Sequence, residues 1–147
     1  MLKIIRVTKE HLLELAPLFD AYRVFYKQQS DLDAALQFLK NRFENNQSIV
    51  FMAYVNSKPV GFVQLYTSYS SVSLKPLYIL NDLYVDPSQR KKGIGEALLE
   101  KSKTYCVQNG YKGLALETAL DNPAQKLYEK LGWKKDSSSF HYFWTPN

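Results

Sequence analysis

Residues that bind metals or form disulfides are scarce in this sequence. The 147 residues include one cysteine, Cys106, and two histidines, His11 and His141, that lie far apart in the chain. A single cysteine excludes an internal disulfide and leaves no cysteine cluster for a metal ion. We therefore expect a protein without a bound metal, in the reducing environment of the cytoplasm.

Long hydrophobic runs are also missing. Residues 1–7 form only a short apolar stretch broken by charges, and no run approaches the roughly 20 apolar residues that span a membrane. The sequence therefore predicts neither a signal peptide nor a transmembrane helix, and no membrane partner.

Two common nucleotide-binding motifs are absent as well. No glycine is followed, after four residues, by Gly-Lys and then Ser or Thr, which excludes a triphosphate-binding loop. A dinucleotide fingerprint would need Gly or Ala three residues after Gly95, where Leu98 stands. Neither class of nucleotide site fits.

Basic residues outnumber acidic ones, giving a formal net charge of +5, but they do not form a stripe. They are scattered except at residues 90–92 and at Lys134 and Lys135, and no nucleic-acid-binding motif accompanies them. This pattern favours one focused anion site, and we expect no nucleic-acid partner.

The composition is that of an ordinary globular protein. Hydrophobic residues make up 46%, charged residues 22% and aromatic residues 14%, which argues against disorder. Because the length is near that of a typical domain, we expect a single domain over residues 1–147, with no room for a second.

Hydrophobic periodicity predicts a mixed α/β fold with the element order β, α, α, β, β, β, α, β, α, β, β. Thr8 is expected to cap a first helix that Pro17 bends or divides, and Ser30 with Asp33 resembles a capping box for the second. The other predicted elements are a hairpin at 49–55 and 60–69 with its turn at 56–59, a loop at 69–76, a central strand at 77–85, a helix at 96–108, a strand at 114–118, a short helix from Asp121 or Asn122 to Gly132, and strand-like segments at Trp133 and at 140–144.

The turn at residues 90–95 is the most informative segment, because it lies between a predicted strand and a predicted helix. Gly93 and Gly95 let the backbone approach a ligand closely, and the amides that open a helix attract anions. Arg90, Lys91 and Lys92 add full positive charges. The turn is therefore expected to bind an anion, unless it merely connects strand to helix.

The string Arg90-x-x-Gly93-x-Gly95 resembles the cofactor-binding signature of the GNAT superfamily of acetyl-CoA-dependent N-acetyltransferases. Residues 122–133 resemble a later helix of that family, with Asn122 and Tyr128 six residues apart. The resemblance implies a GNAT-type acyl-CoA N-acyltransferase fold, with a mixed central sheet of about seven strands and about four flanking helices. The histone and polyamine acetyltransferase-like branch is the one it resembles.

The resemblance also implies where the cofactor binds. In that family the amides of the turn hold the coenzyme A pyrophosphate, and the pantetheine arm lies along the end of the preceding strand. Asn122 matches a residue that contacts this arm, although it also suits a plain helix cap. The matching positions are Leu83, Tyr84 and Val85 on the strand, Arg90, Lys91, Lys92, Gly93, Ile94, Gly95 and Glu96 at the turn, and Asn122 and Tyr128 later.

Direct attack of an amine on the thioester is the reaction that the resemblance implies, with the Val85 amide polarising the carbonyl. Tyr128 matches the general acid that protonates the departing thiolate; its alternative role is that of a packed aromatic. Polyamine-directed relatives often carry a Glu-Asp pair where this chain has Asn81 and Asp82, which leaves the base open. Asp82 is the leading candidate for binding the amine or relaying its proton, ahead of Glu117 and Tyr78. Its alternative role is that of a structural cap or a salt-bridge partner.

The face of the strand on which Asp82 lies is not fixed by the sequence, since a bulge would change the alternation. Aromatic residues at positions 22, 25, 26, 66 and 69 are candidates for an acceptor cleft or for the core. We expect acetyl transfer to a primary amine, either a small cationic amine or a lysine side chain. The alternatives are N-terminal or amino-sugar and antibiotic acetylation, or a coenzyme A-binding module without turnover. The aromatic tail also makes a homodimer plausible.

Overall fold

A computed structural model describes residues 1–146; Asn147, the last residue of the predicted domain, lies outside them. The chain forms two compact units, Met1–Glu117 and Thr118–Asn147, and each is described by itself. The strands are β1 (Leu2–Arg6), β2 (Ser48–Val55), β3 (Lys58–Ser70), β4 (Lys75–Val85) and β5 (Leu114–Ala115), and the helices are α1 (Leu12–Phe25), α2 (Leu32–Glu44), α3 (Ile94–Gln108) and α4 (Ala124–Lys130). Short 3-10 turns occupy Lys9–His11 and Pro87–Gln89.

The first unit holds a mixed sheet in the order β1-β2-β3-β4-β5. All neighbours pair antiparallel except β4 and β5, which are parallel. The mixed α/β architecture with four helices is confirmed. β3 lies at the centre, so the prediction that the strand at 77–85 is central was wrong, although β4 does have a neighbour on each side.

Five strands are present among the described residues, so the prediction of about seven was wrong. β5 covers only Leu114–Ala115 instead of 114–118, and residues 133–146 contain no strand. The tail has the aromatic content of a strand, but its side chains at Phe140, Tyr142, Phe143 and Trp144 are exposed. Strand propensity reflects packing against neighbours, so a run of aromatics without a pairing partner stays irregular.

Tight turns make the hairpins longer than predicted. Asn56 and Ser57 both have positive φ, 49° and 67°, as in the two-residue turns that suit the twist of a hairpin. Residues 58 and 59, expected in the turn, therefore belong to β3. β3 continues to Ser70 and β4 begins at Lys75, which also shortens the predicted 69–76 loop.

Helix α1 runs without interruption through Pro17, so the expected division does not occur. Leu15, Ala16 and Phe19 on the same helix are buried against the sheet. Tertiary packing of an apolar face can outweigh the roughly 3 kcal/mol that a proline costs inside a helix. Thr8 caps the short 3-10 turn that precedes α1 instead of α1 itself.

The connection between α1 and α2 is fixed by Asp20, a buried residue of α1. Its carboxylate accepts hydrogen bonds from Ser30 Oγ at 2.6 Å and from Asp31 N at 2.8 Å. Both hydrogen bonds lower the pKa of Asp20, and the bond from Ser30 has the larger effect. Ser30 is thereby engaged, and Asp31 caps α2 by accepting from Ala34 N at 3.1 Å. The predicted Ser30 and Asp33 capping box was wrong.

Helices cover both faces of the sheet. On one face α1 and α2 form the main core cluster with β2, β3 and β4, in which Leu15, Leu39, Met52 and Phe62 are almost completely buried. On the other face Tyr105 of α3 lies 5.4 Å from the ring of Phe51. Among the described residues, no helix is long and apolar enough to cross a membrane.

Candidate functional site

A β-bulge lies in the second half of β4. Gln64 of β3 pairs with Asp82, and the next residue, Leu65, pairs with Leu80, so Asn81 is an extra residue without a partner position. A bulge interrupts the alternation of side chains between the two faces of a sheet. Before it, Tyr78 packs on Tyr105 of α3. After it, Tyr84 packs on Tyr22 of α1.

The backbone at the end of β4 is open along one edge. Asp86 N donates to Val60 O at 2.8 Å, and alternate residues of an antiparallel pair exchange such bonds. The backbone groups of Leu83 and Val85 are therefore directed away from β3. On that side β5 pairs with β4 only at Tyr78 and Ile79, among the described residues.

The turn after β4 has the backbone conformation expected of an anion site. Asp86 accepts from Ser88 N at 2.9 Å and fixes the 3-10 turn Pro87–Gln89. Lys91 and Gly93 then have positive φ, 64° and 81°, before α3 begins at Ile94. Because Ala97 N is bonded to Gly93 O, the amides before it lack acceptors within the helix. They give the turn a concentration of donors and a partial positive charge.

The basic side chains of the turn do not all extend towards this helix end. Arg90 Nε donates to the Val85 carbonyl oxygen at 2.9 Å. Its guanidinium lies 5.5 Å from the ring centre of Phe25 and 5.7 Å from that of Tyr84. Lys92 Nζ donates to Gln89 Oε1 at 3.2 Å. Arg90 thus joins the turn to the end of β4 and to the end of α1.

Asp82 is a buried carboxylate, 4% exposed, on the α1 side of β4. Gln64 Nε2 donates to its Oδ2 at 2.6 Å, and Asn81 Nδ2 donates to its Oδ1 at 3.1 Å. The Tyr22 hydroxyl donates to the Asn81 carbonyl oxygen at 3.4 Å and also lowers the pKa of Asp82 as a hydrogen-bond partner. Burial raises the pKa of Asp82, and these three hydrogen bonds oppose the rise. A carboxylate with a raised pKa in a buried position suits proton transfer.

Tyr66 extends the same cluster along β3. Burial raises the pKa of Tyr66 to about 12, with a further contribution from the charge of Asp82, whereas the charge of Arg42 lowers it. Arg42 belongs to α2, and its Nε is buried without a hydrogen-bond partner among the described residues. Asp82 therefore has the Tyr66 phenol nearby, and Arg42 places a cation near that phenol.

The two weaker base candidates lie elsewhere. Tyr78 stacks on Tyr111 at 4.2 Å on the α3 side, and burial raises its pKa. Glu117 follows β5 and is exposed. Neither side chain is part of the hydrogen-bond group that surrounds Asp82.

The aromatic residues at the end of α1 form a connected group. Ring centres of Tyr22 and Tyr26 lie 5.0 Å apart, and those of Phe25 and Tyr26 lie 5.2 Å apart. Phe25 and Tyr26 are about half exposed, so their rings are accessible from solvent and do not belong to the core alone. Tyr69, in contrast, is 76% exposed near the tip of the β3–β4 hairpin.

In the second unit, Asn122 lies just before α4 and Tyr128 lies within it. Asn122 Oδ1 accepts from Ala124 N at 2.9 Å, but the cap position of α4 is Pro123, one residue later than the predicted cap at Asn122. Tyr128 is buried, and its ring lies edge-on to Trp133 with 6.0 Å between centres. Its packing role is thus present, and its role as an acid stays a prediction. His141 is exposed in the same unit.

Comparison with known proteins decides the family. Residues 12–133 match the model of the Acetyltransferase (GNAT) family. The chain belongs to this family. GNAT acetyltransferases use acetyl-CoA, and the chain is an N-acetyltransferase of this type.

Individual relatives agree with the GNAT assignment. Uncharacterized N-acetyltransferase YhfO of Bacillus subtilis is 50% identical over 129 residues, covering 87% of each chain. A probable acetyltransferase of Haemophilus influenzae is 32% identical over 141 residues, covering 87% of this chain and 97% of its own. A crystal structure of a probable acetyltransferase matches with a TM-score of 0.93 and 35% identity, covering 99% of this chain and 98% of the other.

Two residues beside the candidate site were not found from the sequence. Gln64 has no motif around it, and only its pairing with Asp82 reveals it. Gly61 lies opposite Val85 and close to the Tyr84 carbonyl. A glycine inside a predicted strand indicates close backbone approach, and that signal was present. Among the described residues, no group of three or more His, Cys, Asp and Glu side chains could hold a metal ion.

Proposed function

We propose that this GNAT enzyme transfers the acetyl group of acetyl-CoA to a primary amine, either a small cationic amine or a lysine side chain. The observation that carries the proposal is Asp82, a buried carboxylate beside the open end of β4 and beneath the aromatic group of α1. A carboxylate attracts an ammonium group, and aromatic faces stabilise cations. This acceptor chemistry is that of the histone and polyamine acetyltransferase-like branch.

Acetyl-CoA is proposed to bind along the open edge of β4 and at the turn. The backbone groups of Leu83 and Val85, directed away from β3, suit the amides of the pantetheine arm, with Tyr84 between them. Asn122 is proposed as a further contact of the arm. The pyrophosphate is proposed to meet the amides of the residues that form the turn and open α3: Arg90, Lys91, Lys92, Gly93, Ile94, Gly95 and Glu96.

The proposed reaction is a single displacement without a covalent enzyme intermediate. The amine nitrogen forms a bond to the thioester carbonyl carbon, and the bond from that carbon to sulfur breaks. Asp82 accepts the proton that the ammonium must lose, directly or through water, and the Val85 amide stabilises the developing oxyanion. Tyr128 protonates the departing thiolate and regains a proton, through water, from the attacking nitrogen, which loses its second proton as the amide forms. The products are an N-acetylated amine and coenzyme A.

A panel of acceptors tests the proposal. Thiol release from acetyl-CoA is measured with polyamines, lysine peptides, N-terminal peptides and amino sugars. We expect turnover with the first two classes and at least a tenfold loss of kcat/KM in Asp82→Asn with acetyl-CoA affinity kept. Turnover confined to N-terminal peptides or to amino sugars and antibiotics would replace the proposed acceptor with one of those classes.

A coenzyme A-binding module without turnover is the second candidate. It is favoured by Asn81, which stands where polyamine-directed relatives carry a carboxylate. Tight acetyl-CoA binding without thiol release across the whole panel would support it. The acetyl-CoA contacts would then serve regulation.

The assembly and setting of the enzyme are also proposed. The family match at residues 12–133 extends across both units, which supports treating the chain as one acetyltransferase domain. The exposed aromatic side chains of the tail favour a homodimer. A cytoplasmic location is proposed, because a single cysteine suits a reducing compartment. Sedimentation and cell fractionation test the last two points.

A further inference from the structure

Gln64 is a polar residue in an otherwise apolar part of β3. Its neighbours Phe62, Val63 and Leu65 are fully buried, and so is Gln64, with 0% exposure. Its Nε2 donates to Asp82 Oδ2 at 2.6 Å. Its Oε1 is buried with no hydrogen-bond partner among the described residues.

An amide in this position is unfavourable for the fold alone. A buried acceptor without a partner costs about 1–3 kcal/mol, and an apolar side chain of similar length would avoid that loss. Among the described residues, the hydrogen bond of this side chain is the one to Asp82. The contact that offsets this cost is therefore the one with the Asp82 carboxylate.

We propose that Gln64 is a positioning residue for acetyl transfer, which orients the Asp82 carboxylate and favours its charged form. This inference rests on the proposed function, in which Asp82 accepts the proton of the amine. Gln64 holds Oδ2 and Asn81 holds Oδ1, so the plane of the carboxylate is fixed from both sides. A fixed plane directs the remaining lone pairs of the carboxylate in a defined direction.

The need for such a partner follows from burial. An apolar environment favours the neutral acid, which cannot accept a proton, whereas hydrogen bonds to the carboxylate favour the charged form. Of the three donors to Asp82, Asn81 is exposed and Tyr22 is partly exposed. Gln64 is the donor that is wholly shielded from water, and a hydrogen bond to a charged group is strongest where water is excluded.

Other groups around Asp82 set the background for its titration. Tyr22 of α1 donates a hydrogen bond. Tyr66 of β3 is neutral at physiological pH, as an ordinary tyrosine is, and burial raises its pKa further, to about 12. Arg42 of α2 lies near Tyr66 and carries a positive charge. None of these groups is replaced when Gln64 alone is changed.

The experiment measures the protonation of Asp82 directly. The carboxyl carbon of Asp82 is titrated by NMR in the full-length protein and in Gln64→Met, which has similar length and no donor, with Asp82→Asn to assign the signal. We expect the midpoint to rise by about one to two pH units, because a hydrogen bond to the charged form is lost. The acidic limb of the pH profile of kcat/KM should shift to higher pH by the same amount.

A second variant and a control protect the result from a folding artefact. Gln64→Glu keeps the shape of the side chain and places a second carboxyl group against Asp82, so the pair should share a proton and titrate in two separated steps. Gln37→Met removes an amide of α2 that donates to Asn41, and we expect no change in the titration of Asp82.

Two outcomes would overturn the inference in different ways. An unchanged Asp82 midpoint in folded Gln64→Met would show that Gln64 does not act on the carboxylate, and the proposed function would be unaffected. A raised midpoint with an unmoved acidic limb would remove Asp82 from proton transfer. The proposed role of Asp82 would then fail, together with the role of Gln64 in the reaction.

Discussion

Gly61 and Tyr84 lie so close that no side chain fits between them. A Cβ atom on Gly61 would be 2.7 Å from the carbonyl oxygen of Tyr84 and 3.4 Å from Cα of Val85. Both neighbouring atoms belong to the backbone, so they cannot move aside as a flexible side chain would. The glycine thus determines how closely β3 approaches the end of β4.

Replacement of Gly61 by alanine should displace this strand end. We expect a loss of about 1–3 kcal/mol in the free energy of unfolding, because overpacking strains the backbone, and weaker acetyl-CoA binding. Urea denaturation and calorimetry of acetyl-CoA binding measure the two effects. Gly113→Ala is the matched control, since a Cβ there meets no atom within 4 Å. Equal stability and affinity in Gly61→Ala would contradict the steric account.

Replacement of Gly93 by valine should abolish acetyl-CoA binding. Gly93 has φ of 81°, a conformation that costs a β-branched residue roughly 1–2 kcal/mol or more. A changed turn would misplace the amides that open α3. Space is not the cause, because a Cβ at Gly93 meets nothing within 4 Å. Calorimetric titration with acetyl-CoA measures the loss, and full affinity would show that the turn tolerates the strain.

Removal of the Tyr128 hydroxyl should slow the reaction and leave binding largely intact. The ring of Tyr128→Phe can still pack on Trp133, so the fold should be kept. We expect kcat to fall about tenfold or more, as for loss of a general acid. Steady-state kinetics with Tyr142→Phe as the exposed control measure this effect. A kcat equal to that of the unchanged enzyme would restrict Tyr128 to packing.

Replacement of Asp20 by asparagine should weaken the connection between α1 and α2. The hydrogen bonds from Ser30 and Asp31 lower the pKa of Asp20 below its ordinary 3.8, so they favour the folded state when the carboxylate is charged. This contribution is present above pH 3.8 and is lost as the pH falls through the lower pKa of the folded state. We expect a loss of about 1 kcal/mol at pH 7 in Asp20→Asn.

The pH dependence provides the control for this prediction. Urea denaturation is measured at pH 7 and at low pH, where the carboxylate is protonated. The difference between Asp20→Asn and the unchanged protein should shrink at low pH. A difference that stays constant would mean that the charge of Asp20 does not contribute.

Local signals in the sequence were sufficient for most elements and for the turn. Gly93 and the helix that follows could be predicted because both depend on neighbouring residues. The bulge at Asn81 could not, since it depends on how β3 pairs with β4. Gln64 was missed for a similar reason: its partner is 18 positions away, and nothing local distinguishes it from a polar residue on an exposed face.

Expectations failed where tertiary contacts compete with local preference. Pro17 was expected to interrupt α1, but burial of Leu15 and Phe19 supports a continuous helix. The aromatic tail was expected to form strands because of its residue types. Strand propensity does not reveal whether a pairing partner exists, and the expectation failed for that reason. The position of β4 beside β5 instead of at the centre likewise depends on the pairing of distant segments.

The bulge at Asn81 limits which insertions and deletions β4 can accept. With Asn81 present, β4 supports α3 through Tyr78 and presents Asp82 and Tyr84 towards α1. Deletion of Asn81 would remove the bulge and restore strict alternation. The side chains on one side of the deletion would then move to the opposite face of the sheet. Which side chains of β4 pack against α3 and which face α1 therefore depends on the number of residues in the strand as well as on their identity. Insertions and deletions in β4 should be tolerated far less than substitutions of the same residues.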